Sequence, residues 1–124
     1  MLNKEKKFQD ISSEAKARIV AGWLDDKQGD HIVIMDVSKM SSVTDMTMVV
    51  SARGMKHAQA LADHLLDKCA EEKLEFLGME GRQTGEWVLV DLNDVLVHIF
   101  LEELREFYNI EGMWAEAPRV EIDG

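Results

Sequence analysis

The stretch Trp87-Val88-Leu89-Val90-Asp91-Leu92-Asn93-Asp94-Val95-Leu96-Val97-His98-Ile99-Phe100 constrains this chain most. Two β-rich apolar runs, Trp87–Leu92 and Asp94–Phe100, are joined almost directly at Asn93-Asp94, which predicts a tight hairpin. Strand alternation puts Trp87, Leu89 and Asp91 on one side and Val88 and Val90 on the other. If the all-aliphatic Val side meets helices, Trp87 points outward or toward whatever helix follows.

The rest of the chain supplies those helices. Ile11, Ala15, Ile19 and Trp23 recur at helical spacing, so an amphipathic helix is expected over about 11–27, closed by Gly29. His31–Val37 reads as a central strand that His31 caps, and the short loop to Thr44-Asp45 can return a second strand, about Met46–Ser51, antiparallel to it. Ala58, Ala62, Leu65 and Cys69 line one face of a helix from Gly54 to about Lys73, long enough for a crossover. Leu74–Glu80 is a weaker strand, residues 81–85 a turn, Glu102–Tyr108 a short helix, and 109–124 lacks a clear period. The order α-β-β-α-β-β-β-α gives the fold class α/β (α+β): a mixed β-sheet of about five strands flanked by helices. The expected organisation is a flexible N-terminus over 1–10, a single domain over 11–117 and a C-terminal tail over 118–124.

Charge narrows the function. The 124 residues carry 14 Lys/Arg and 24 Asp/Glu, a formal charge of -10. Residues 63–124 hold 5 of the former and 16 of the latter, so this half alone contributes 5 - 16 = -11. Such a field repels a phosphate backbone and attracts a basic protein. Little or no direct nucleic-acid contact is therefore expected. With no apolar run long enough to span a bilayer and one cysteine, Cys69, the chain is expected in a reducing, cytoplasmic compartment. A partner footprint of ~800 Å² would cover about an eighth of a domain this size, so binding could be its whole function.

Chemistry is harder to find. Asp91, Asp94 and His98 could hold a metal, but Asp94 and His98 lie about 13 Å apart along an extended strand. The alternative is that the carboxylates satisfy turn amides and His98 packs among apolar neighbours. His57 and His64 are separated by about 10.5 Å of helical rise and read as the flank of a solvated helix. Cys69 sits on an apolar helix face, and no phosphate-binding glycine signature or zinc spacing occurs. No catalytic, metal or cofactor site is expected. Ser41-Ser42-Val43-Thr44-Asp45 can lock its own loop or contact a ligand. Trp87, with Glu86, His98, Leu101, Glu102, Arg105, Tyr108 and Trp114 around it, suits either a binding hot spot for a basic protein or a second small core.

At these residues the sequence resembles the ribosomal silencing factor (Iojap-like) family. The resemblance is carried by Asp36-Val37-Ser38 with Ser41-Ser42-Val43-Thr44-Asp45, by Glu80-Gly81, by the hairpin above, and by Arg105-Glu106-Phe107-Tyr108 and Trp114. It covers about residues 12–117. Met46 stands where an aromatic is usual, and Asn93 where glycine is usual. The resemblance implies a fold related to nucleotidyltransferases without their catalytic signature. It implies binding of the large ribosomal subunit through its protein fourteen, exclusion of the small subunit, and lowered translation under nutrient limitation. Organellar relatives imply large-subunit assembly as an alternative, and isolated members suggest a possible homodimer when free. The positions expected to meet the partner are Trp87, Asp91, Asp94, His98, Leu101, Glu102, Arg105, Tyr108 and Trp114. The enzymatic alternative is a metal-dependent nucleotidyltransferase-like domain using Asp91 and Asp94.

Overall fold

The computed structural model describes residues 8–122. Most of the expected flexible N-terminus and the end of the expected tail therefore lie outside the described residues. The elements follow the predicted order with two additions: α1 (Ser13–Asp26), β1 (Asp30–Asp36), β2 (Met46–Ala52), α2 (Met55–Glu72), β3 (Gly78–Glu80), β4 (Trp87–Asp91), β5 (Val95–Leu101), α3 (Glu102–Tyr108), α4 (Ile110–Met113) and β6 (Arg119–Val120).

The sheet has six strands in the order β3-β4-β5-β2-β1-β6, not five. The sixth is in the segment that showed no period: Arg119 and Val120 pair with Met35 and Ile34. Two residues are too few to display alternation, and β6 exists because β1 offers a free edge. The β1–β2 pair is antiparallel, as its short loop requires, while β2 and β5 run parallel and make the sheet mixed. All seven residues of β2 are buried, as befits a strand covered on both faces.

On one face α1 and α2 pack Val20, Leu24, Leu61 and Leu65 against Met48, Val50, Val88, Val90, Val97 and Ile99. Met46 belongs to this core, which its flexible side chain helps to fill. Cys69 is buried there too, and burial pushes its thiol up to about 11, which leaves it an inert core residue. His64 is not the solvated flank its spacing suggested. It is half-buried, and desolvation with Lys27 and Lys68 nearby lowers its pKa. His31 does not cap β1; it lies within the strand with φ 53°, exposed, at a shift in register between Asp30 and Val33.

The second face carries a smaller core of Met35, Val37, Val49, Phe100, Ile110 and Ala117. It is covered only in part. No residue of α3 is buried, and α4 buries only Ile110.

Candidate functional site

The β4–β5 register sets Trp87 opposite Phe100, Leu89 opposite His98 and Asp91 opposite Leu96. These side chains share the face away from α1 and α2, while Val88 and Val90 are fully buried beneath those helices. The expected sidedness of Trp87 is what the fold delivers. Its approach depends on Gly81, whose φ of 83° favours glycine and where a Cβ would collide with the Trp87 carbonyl oxygen. The hairpin turn places Asn93 at φ 79°, a conformation asparagine tolerates, and the Asp91 carboxylate accepts from the Asn93 amide at 2.9 Å.

Trp87 is half-buried. Its ring lies 4.9 Å from that of Phe100 and 4.7 Å from that of Tyr108, and its indole Nε1–H donates to His98 Nδ1 at 3.2 Å. Each aromatic contact adds about 0.5–1.5 kcal/mol beyond area burial. Because His98 Nδ1 accepts, the imidazole is neutral and carries its proton on Nε2. His98 is 7% exposed, and desolvation pulls its pKa down to about 4.

The depressed pKa of His98 makes stability pH-dependent. The unfolded chain binds a proton on His98 below about pH 6.5, whereas the folded one resists until about pH 4. Stability therefore falls as pH drops below about 6.5, by about 2 kcal/mol at pH 5, and levels off below the folded pKa. Denaturant melts of the wild type and His98→Asn between pH 7 and 5 check this. The variant's curve is expected to be flatter by that amount, while carboxylates and His64 contribute equally to both.

The other expected partner residues divide into groups. Trp87, His98 and Asp91 lie on the face of β4 and β5 away from α1 and α2, Tyr108 of α3 packs against Trp87 there, and Trp114 joins His98 in lining a groove beside them. Leu101 serves as the residue preceding α3 and is half-buried. Glu102 and Arg105 line a different, polar cleft of about 450 Å³ with His31, Ser51 and Glu111. Arg105 is committed internally: its guanidinium donates to both Glu111 carboxylate oxygens at 2.9 and 3.2 Å and to Ser51 Oγ at 2.8 Å, fastening α3 to α4 and β2.

Asp94 is likewise engaged within the fold. Lys16 Nζ donates to Asp94 at 2.8 Å and to the Leu92 carbonyl at 2.6 Å, and Ser13 Oγ bridges Asp45 and Asp94 at 2.7 and 3.0 Å. The loop Ser41–Asp45 is thus partly a lock, with Asp45 held from α1. Asp91 and Asp94 are occupied by separate partners. Among the described residues no group of three or more His, Cys, Asp or Glu gathers as metal ligands.

Reading the residues had passed over Phe100 as the base of the aromatic stack, and over Val43, Leu96 and Met113, which line the groove with Trp114 and His98. Val43 and Met113 are 79% and 68% exposed, a degree that no periodicity announces. The surface so assembled is an aromatic and aliphatic sheet face flanked by grooves. The three grooves along it are lined by two charged residues, Glu80 and Asp91, and by no Lys or Arg.

Residues 10–124 match the family described as ribosomal silencing factor during starvation. The ribosomal silencing factor RsfS of Bacillus subtilis is 36% identical over 91% of this chain and 96% of its own length. That of Halalkalibacterium halodurans is 32% identical over 92% and 97%. A crystal structure of a Chromobacterium violaceum protein superposes with a TM-score of 0.82 at 32% identity, covering 85% of this chain and 88% of that one.

Proposed function

The chain belongs to the ribosomal silencing factor family, and on that premise we propose that it binds the large ribosomal subunit through the basic surface of ribosomal protein fourteen and thereby keeps the small subunit from joining. The family regulates ribosomes and is not enzymatic. No helix among the described residues is long and apolar enough to cross a membrane.

The observation that carries this reading is the sheet face itself. Trp87, Tyr108, Leu89 and Trp114 present apolar surface beside Asp91 and Glu80, with no cation lining its grooves. Aromatic anchors in a partly desolvated setting are where binding free energy concentrates, and the negative field of the C-terminal half favours encounter with a basic protein over rRNA. The rest of the domain, with α1 and α2 on the far side of the sheet, then projects from the subunit and obstructs its partner. Inhibition is steric and needs no chemistry.

Sedimentation of purified subunits tests it. Added in excess, the protein is expected to co-sediment with large subunits and to lower the fraction of joined ribosomes. Binding without loss of joining would replace silencing by an assembly role. Absence of binding would overturn the reading.

A further inference from the structure

The groove between the sheet and α4 has features that a merely exposed apolar face lacks. Its floor is Thr47 of β2 with Leu96 and His98 of β5, adjacent in the parallel register Thr47↔Leu96 and Val49↔His98. Val43 forms one rim, and Met113 and Trp114 of the α4 end form the other. It encloses about 340 Å³, at the small end of volumes that hold small ligands. Asp91 is the cross-strand neighbour of Leu96 on this same face, which brings a carboxylate to within about 5 Å, Cβ to Cβ, of the floor. The adjoining groove adds Glu80 and Leu77, the latter 57% exposed.

We propose that this groove is the anchor pocket for a basic segment of the partner protein, which inserts an apolar side chain between Val43, Trp114 and Met113 and sets a Lys or Arg against Asp91. The proposal rests on the large-subunit reading above and deepens it by locating where the partner's side chain goes. Charge selects the occupant. A second copy of this chain would bring the same charge of -10 to a groove whose floor adjoins the Asp91 carboxylate, and RNA would bring phosphates to it. A cationic polypeptide gains from both the apolar groove and the neighbouring Asp91.

Site-directed cross-linking tests the occupant. In Val43→Cys, a benzophenone maleimide reacts at the rim and spares Cys69, which is 1% exposed. Irradiated with purified large subunits, the labelled protein is expected to attach to a ribosomal protein, at a peptide with an apolar residue next to Lys or Arg. Attachment to rRNA, attachment to a second copy, or no attachment despite co-sedimentation would overturn the proposal.

Affinity gives a second measure. Val43→Arg places a cation on the rim and is expected to weaken subunit binding at least 10-fold with no change in melting temperature, whereas Leu66→Arg, on exposed α2 surface across the sheet, leaves binding unchanged. Wild-type affinity in Val43→Arg, alongside lost affinity in Trp87→Ala, would refute the pocket and spare the wider surface. A wild-type protein that fails to bind large subunits refutes both.

Discussion

Trp87→Ala is expected to weaken binding to the large ribosomal subunit by about 30-fold or more, the equivalent of about 2 kcal/mol. Trp87 is suited to this because its position is fixed before any partner arrives. Phe100 and Tyr108 hold the ring from two sides, and the indole N–H is tied to His98. Little rotamer entropy is left to lose on binding, so most of the area that Trp87 buries counts toward affinity. Trp87→Phe separates the contributions. It keeps an aromatic ring on the stack and removes the donor to His98, so an intermediate loss of about 5-fold is expected. Circular dichroism and melting temperature establish that each variant is folded, and titration of purified subunits gives the affinities. Wild-type affinity in a folded Trp87→Ala protein would remove Trp87 from the interface.

Lys16→Met is expected to be the most damaging change to the fold outside the aliphatic core, at about 3 kcal/mol. Lys16 is 5% exposed although it is a lysine, and its ammonium group is consumed by Asp94 and the Leu92 carbonyl. Methionine fills the same volume but leaves that carbonyl with only the Asp94 backbone N–H and the Asp94 carboxylate with only Ser13. Asp94→Asn tests the other half, and is expected to cost less because Lys16 keeps the Leu92 carbonyl. A double-mutant cycle by urea denaturation reads the coupling directly, with a value above about 1 kcal/mol expected. The same measurement reports on the structural role of Asp94. Its carboxylate holds α1 to the hairpin turn.

How much of this was readable from the residues depends on length scale. The hairpin, the side on which Trp87 lies and the tolerance of Asn93 for a left-handed turn were legible, because strand alternation and turn chemistry act over a few neighbouring residues. The helices were legible through their apolar stripes, though α1 begins at Ser13 with Ser12 as its cap, two residues beyond Ile11. The strand β6 and the helix α4 were not, since two and four residues are shorter than any period that would reveal them. Lys16 escaped notice for a different reason. A lysine on an apolar helix face is ordinarily assumed to reach for water, and only the approach of the Leu92–Asp94 turn, 76–78 positions away, gives it a reason not to. The bonds of Arg105 to Glu111 and Ser51 were not legible either, since only the fold brings β2 beside α3.

The floor of the anchor pocket is shared by β2 and β5, parallel neighbours drawn from opposite halves of the chain. Hence no fragment emerging during synthesis offers a partial version of it. The pocket is complete only once β5 has slotted beside β2 and Met113 and Trp114 have followed it, so a chain still in synthesis lacks it.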